Sequence, residues 1–127
     1  MTTTIRDTSV KLSPLGLGTV PLAGFGHETP YDLFESVVMA AYEGGYRYFD
    51  TAPMYGSGRA EMFLGQALRN NGLRDKVTLS TKVGRLLKRK SATAQQEKFL
   101  YGGGIVWQGG FPFVQSFDYS YDGIMRS

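Results

Sequence analysis

Cysteine is absent from this 127-residue chain, which removes disulfides, thiolate nucleophiles and Cys-bound zinc. Histidine occurs once, as His27, so a histidine cluster for a metal is excluded and no metal is expected. Long apolar runs are missing too. No stretch is long enough to span a bilayer, and Met1-Thr2-Thr3-Thr4-Ile5-Arg6-Asp7 lacks the apolar centre of a signal peptide. The expectation is a cytoplasmic protein without a membrane partner. Charge of one sign is in modest excess: 14 Lys and Arg against 11 Asp and Glu give +3, which by itself implies no nucleic-acid partner. The remaining balance, 42% hydrophobic and 20% charged, is that of a globular domain long enough to bury a core.

Two short β-prone runs, Val10 to Leu12 and Leu15 to Thr19, flank Ser13-Pro14 and predict a hairpin leading into a core strand. Thr29-Pro30-Tyr31-Asp32 reads as a helix start, with Thr29 as cap, Pro30 at the first helical position and Asp32 at the positive end of the dipole. Leu33, Val37, Val38 and Ala41 recur at helical spacing until Gly44-Gly45. A strand from Tyr46 to Asp50 follows almost at once. Ser57-Gly58 opens a second helix, with Met62, Leu64, Ala67 and Leu68 for burial, that ends near Asn70-Asn71-Gly72. Val77 to Lys82 is the next strand.

Strand–helix–strand–helix–strand with short links is the pattern of an α/β fold with a parallel sheet and right-handed crossovers. Loops after the strands of such a sheet gather at one rim. Asp50, Tyr55 and Lys82 all fall there, and the period of two puts Tyr46, Tyr48 and Asp50 on one face, and Thr78, Ser80 and Lys82 likewise together. A free tyrosine holds its proton to about pH 10; an adjacent ammonium favours the phenolate, and a carboxylate can hold that ammonium in place. The set therefore suggests proton transfer to a carbonyl oxygen, although solvated or simply paired strand-end Asp and Lys fit the same positions.

Other motifs fail. Gly16-Leu17-Gly18 opens like a dinucleotide fingerprint, but Pro21 stands where the third glycine belongs. Gly104 and Gly109 have phosphate-loop spacing, yet Gly110 replaces the required lysine. Residues 85–116 read as a long connection, either functional or disordered. Its basic run, Arg85, Lys88, Arg89 and Lys90, suits a phosphate or nucleic-acid grip less well than a solvated face. Trp107 is either part of a lid or exposed, His27 a pocket residue or a solvated one. Arg59 and Glu61 are substrate or scaffold residues, or plain surface charges. Asp118 to Asp122 resembles a new helix start.

Gly45 to Ala52 with Tyr55-Gly56, then Glu61, Gly65 and Ala67-Leu68, resembles the signature of the aldo-keto reductases. Leu15 to Thr19 and Ser80-Thr81-Lys82 match the same family, and Phe111-Pro112-Phe113 with Asp118-Tyr119-Ser120 resemble its branch of sugar and pyridoxal dehydrogenases. The resemblance implies a (β/α)₈ TIM barrel that binds NADP or NAD and moves hydride between nicotinamide and a carbonyl or hydroxyl carbon of a sugar or aldehyde. By motif, Tyr55 would be the proton donor and acceptor, Lys82 the partner that lowers its pKa, and Asp50 the anchor of Lys82. Gly18, Thr19 and Asp50 would lie toward the cofactor.

A full barrel takes ~250 residues, so the chain is expected to be the N-terminal portion of one: an incomplete barrel with an N-terminal hairpin, the first three strands and two complete helices. The resemblance places a further catalytic histidine and the phosphate-holding loops beyond Ser127. An interrupted reading frame and a partial record both give that pattern. Open sheet edges predict self-association and marginal stability, and the chain alone is expected to be inactive. The alternative is a non-catalytic module that binds a partner through the basic loop or an exposed edge.

Overall fold

A computed structural model describes residues 2–89 and 107–127. Among the described residues, three α-helices and seven β-strands follow one another, with three short 3-10 turns between them. Strands β1 (Thr3–Thr4) and β2 (Lys11–Leu12) form an antiparallel hairpin. Then come β3 (Leu17–Gly18), helix α1 (Tyr31–Glu43), β4 (Tyr48–Asp50), helix α2 (Arg59–Asn70) and β5 (Thr78–Ser80). Strands β6 (Arg85–Arg89) and β7 (Phe113–Phe117) pair antiparallel, and helix α3 (Tyr121–Arg126) follows.

The centre is a parallel sheet in the order β3-β4-β5, with Gly18 opposite Asp50 and Asp50 opposite Ser80. Phe49, fully buried, points from it toward the helices. There it joins Phe34 and Val38 of α1 and Ala60, Leu64, Ala67 and Leu68 of α2 in one core. Phe63 adds edge-on contacts to Tyr31 and Phe34, with ring centroids 5.1 and 5.6 Å apart, a favoured aromatic geometry. Both helices end in the same hydrogen-bonded turn. Tyr46 N donates to Ala41 O with Gly45 at φ 95°, and Leu73 N donates to Leu68 O with Gly72 at φ 61°. Glycine takes this left-handed position without steric cost, and each turn releases the chain straight into the approach to the next strand.

Several expectations change. The hairpin pairs Lys11–Leu12 with Thr3–Thr4, while Leu17–Gly18 enters the parallel sheet. Ser13-Pro14 has no residue suited to positive φ, as a tight hairpin turn requires, whereas Asp7 takes φ 60° in the loop used. Thr29 does not cap α1. Pro30 holds the cap position, and the Thr29 hydroxyl is buried without a hydrogen-bond partner. Leu33 and Met62, expected inside, are 48% and 57% exposed; the buried stripe runs through Phe34 and Val38 on α1 and through Leu64 and Leu68 on α2. The ends of the segment read as a connection, Arg85–Arg89 and Phe113–Phe117, are strands in register from Arg85↔Phe117 to Arg89↔Phe113. Lys90 and the stretch from Ser91 through Gly104 lie outside the described residues.

The helix start after Asp118 is present. Ser120 caps α3 by accepting from Gly123 N at 3.1 Å, and Asp118 accepts from the Ser120 hydroxyl at 2.6 Å.

Candidate active site

Strand parity assembles the site. Tyr48 and Asp50 leave β4 on the face opposite Phe49, and Ser80, in register with Asp50, leaves β5 beside them. Two residues further on, Lys82 reaches back so that Nζ lies 2.8 Å from Asp50 Oδ1 and 3.0 Å from Thr51 O. Ser80 donates to Asp50 Oδ2 at 2.6 Å, and Tyr48 Oη sits 2.9 Å from Ser80 Oγ. Both carboxylate oxygens thus have a partner.

After Asp50 the chain buries Thr51, Ala52 and Pro53 and turns sharply. Tyr55 N donates to Ala52 O at 3.1 Å and Ser57 N to Met54 O at 3.0 Å. Gly56, Ser57 and Gly58 follow with φ of 64°, 52° and 96°. Three consecutive left-handed residues fold the chain back into α2 and leave the Tyr55 ring over Lys82, whose Nζ lies 4.8 Å from the ring centroid. Carboxylate, ammonium and phenol are therefore one cluster.

Burial opposes both charged forms, yet each wins. Partial burial pushes the Asp50 carboxyl up, but the bonds from Lys82 and Ser80 hold it below its ordinary value. Partial burial pushes the Lys82 ammonium down, but Asp50 and then Tyr55 raise it above its ordinary value. The cluster keeps a carboxylate and an ammonium charged at neutral pH. Beside it opens a cleft of about 380 Å³ whose lining includes Met54, Tyr55, Lys82, Arg85 and Tyr119.

The other sequence candidates divide. Gly18 is exposed at the strand end, with no atom within 4 Å of where a Cβ would stand. Thr19 is fully buried; its hydroxyl and amide both donate to Asp50 O, at 3.1 and 3.0 Å. It pins β3 to β4 and presents no surface to a ligand. His27 is exposed in its loop. Arg59, for which the sequence leaves substrate, scaffold and plain surface roles open, is buried and donates to Thr29 O and Gln108 O, as a scaffold residue does. Glu61 accepts from the Thr81 hydroxyl at 2.6 Å. Trp107 lies beside the Tyr55 ring, centroids 6.3 Å apart, and also meets Phe25. Ser80 and Tyr48 had not been singled out as site residues, although the parity that groups them with Lys82 and Asp50 contained the signal.

Parallel β/α units with a charged cluster at the carboxyl ends of the strands define part of a barrel whose site sits on that rim. Residues 14–101 match the aldo/keto reductase family, and the chain belongs to that family, whose members are oxidoreductases. It is 41% identical over 125 residues to pyridoxal 4-dehydrogenase of Microbacterium luteolum, covering 94% of this chain and 35% of that one. It is 40% identical over 77 residues to D-threo-aldose 1-dehydrogenase of a Pseudomonas species, covering 54% and 23%. Among solved structures, glycerol dehydrogenase AKR11B4 of Gluconobacter oxydans superposes with a TM-score of 0.58 at 30% identity, over 72% of this chain and 28% of that one. The chain thus spans about a third or less of the length of these relatives, and its fold is an incomplete TM barrel.

Proposed function

We propose that this chain forms the strand-end catalytic corner of an NADP- or NAD-dependent oxidoreductase acting on a sugar or aldehyde. The observation that carries the proposal is Lys82 Nζ standing 2.8 Å from Asp50 and 4.8 Å from the centre of the Tyr55 ring. That arrangement suits a proton donor whose conjugate base needs a fixed cation beside it. Two relatives support the substrate class, since they are named as dehydrogenases of pyridoxal, an aldehyde, and of a D-threo-aldose, a sugar.

The residues present fit the nicotinamide end of the cofactor. Gly18 leaves open space at its strand end, and the side chain of Asp50, opposite it in the sheet, is 34% exposed. Gly18 and Asp50 would hold that end, with Thr19 acting beneath them by fixing β3. When bound, the cofactor supplies the hydride in reduction and accepts it in oxidation. In reduction, the Tyr55 hydroxyl gives its proton to the carbonyl oxygen of the substrate. The Lys82 ammonium balances the phenolate charge left behind, and Asp50 keeps the ammonium there. In oxidation, the phenolate takes the hydroxyl proton of the substrate.

Three strands do not close a barrel, so residues 1–127 alone are expected to show no carbonyl-dependent oxidation of NADPH or NADH. The test is a chimera in which this chain replaces the equivalent front of pyridoxal 4-dehydrogenase. Tyr55→Phe in that chimera should lower kcat about 10²-fold or more with little change in KM. A chimera that turns over equally well with Phe at that position overturns the proposal.

A further inference from the structure

Among the described residues, the cleft beside Tyr55 is lined by two cations, Lys82 and Arg85, and by no carboxylate. Lys82 is neutralised by Asp50 at 2.8 Å. Arg85 is not: among the described residues no carboxylate forms an ion pair with it. Its partners are neutral. One terminal nitrogen donates to Gln115 Oε1 at 3.2 Å and to the Met54 sulfur. The guanidinium lies over the Phe117 ring, 4.5 Å from its centroid. Gln115 is itself held, donating to Met54 O at 3.4 Å.

These contacts fix the plane of the guanidinium without cancelling its charge. A held arginine with unspent donors is a receptor for a carboxylate or phosphate, because its fork matches two oxygens at once. Preorganisation also means that little side-chain entropy is lost when an anion arrives. The neighbouring Tyr119, stacked on Phe117 with centroids 5.8 Å apart and 66% exposed, adds a hydroxyl at the same mouth.

Resting on the reading of Tyr55 as proton donor, we propose that Arg85 is the specificity residue of this cleft and selects substrates carrying an anionic substituent away from the reacting carbon. The strand pair β6–β7 then has a function: it brings Arg85 and its Gln115 brace to the rim that the three-stranded sheet alone would leave without a free cation.

The test reads binding, not turnover. The purified 127-residue chain is titrated with D-galactose, D-galacturonate, D-galactose 6-phosphate and inorganic phosphate, following Trp107 fluorescence and calorimetry. One or both anionic sugars should bind at least about tenfold tighter than galactose, and which one does separates a carboxylate from a phosphate preference. The advantage should vanish in Arg85→Gln, a variant checked for an unchanged circular dichroism spectrum, and shrink with added salt. Inorganic phosphate should compete with the anionic sugar and not with galactose. Equal affinity for galactose and the anionic sugars, an advantage that survives Arg85→Gln, or no anionic sugar bound up to about 20 mM each overturns the inference. Loss of turnover in the Tyr55→Phe chimera is independent of these results, so the two readings can fail separately.

Discussion

Ser80 gives its hydroxyl proton to Asp50 Oδ2 across 2.6 Å, on the carboxylate oxygen that Lys82 leaves free. A serine has one proton to give. The contact between Tyr48 and Ser80 at 2.9 Å must therefore run with Tyr48 as donor. All protons along Tyr48, Ser80 and Asp50 point toward the negative charge, and Ser80 sets the rotation of the carboxylate that holds Lys82. Ser80→Ala should let the Asp50 carboxyl titrate closer to its ordinary value and cost about 1 kcal/mol of stability. Carbon-13 titration of the carboxyl and urea unfolding measure the two effects. A carboxyl that titrates no higher in the variant would assign the whole stabilisation to Lys82.

The Asp50–Lys82 pair gives stability a defined pH window. The Asp50 carboxyl is depressed in the folded chain, so its contribution is present above the unfolded carboxylate value of 3.8 and is lost as pH falls through the folded one. The Lys82 ammonium is raised, so its contribution is full below the unfolded value of 10.5 and is lost as pH rises through the folded one. The side chains are 34% and 51% exposed, and solvent screening keeps the coupling to about 1 kcal/mol or less. A double-mutant cycle with Asp50→Asn and Lys82→Met should give a coupling that is flat from about pH 5 to pH 9 and shrinks at both ends. A coupling that grows toward acid would contradict the assignment of charge.

That pair is legible in the sequence because the rules that make it are local. Short links between strands and helices force parallel neighbours, strand parity fixes the faces, and the strand ends then coincide. Thr19, Arg59 and Arg85 are not legible in the same way. Thr19 occupies the position expected to face a ligand, but its hydroxyl turns back to Asp50 O, a contact settled by sheet packing. Arg59 follows a glycine at the start of a helix, where a charge is ordinarily solvated. It is buried because Gln108, far along the chain, brings a carbonyl to it. The pairing of Arg85 with Phe117 is equally non-local, and no periodicity of the basic run announces it.

The burial of Arg59 predicts a large effect for a residue outside the catalytic cluster. Its side chain is 5% exposed and donates to Thr29 O at 2.6 Å and Gln108 O at 3.0 Å. Glu28, 3.5 Å away and 63% exposed, contributes little by comparison. Arg59→Met keeps bulk but leaves both carbonyls without this donor, and should cost about 3 kcal/mol. Arg59→Lys should recover less than half, since an ammonium lacks the planar fork. Trp107 is the chain's one tryptophan and neighbours Gln108, so its emission should shift to the red in Arg59→Met before any denaturant is added. Unchanged emission with an unchanged unfolding midpoint would remove Arg59 from the supports of that segment.

Gly56 ties the conformation of the Tyr55 turn to the packing beneath it. It takes φ 64°, and a Cβ there would stand 2.7 Å from Ala23 O and 2.9 Å from Arg59 Cβ. Ala23 is fully buried and its clashing atom is main chain, while Arg59 Cβ is the fixed root of a buried side chain, so relief must come from movement of the turn that carries Tyr55. Gly72 provides the control: its φ is 61°, with nothing within 4 Å of a Cβ. Gly72→Ala should register only the left-handed backbone cost, about 1 kcal/mol. Gly56→Ala adds the steric contact and should cost about 2–3 kcal/mol. In the full-barrel chimera it should also depress kcat more than KM, because the phenol shifts away from Lys82 while the cleft remains. Equal costs for the two alanines would mean that the turn rests loosely on Ala23, and the placement of Tyr55 would then need another source.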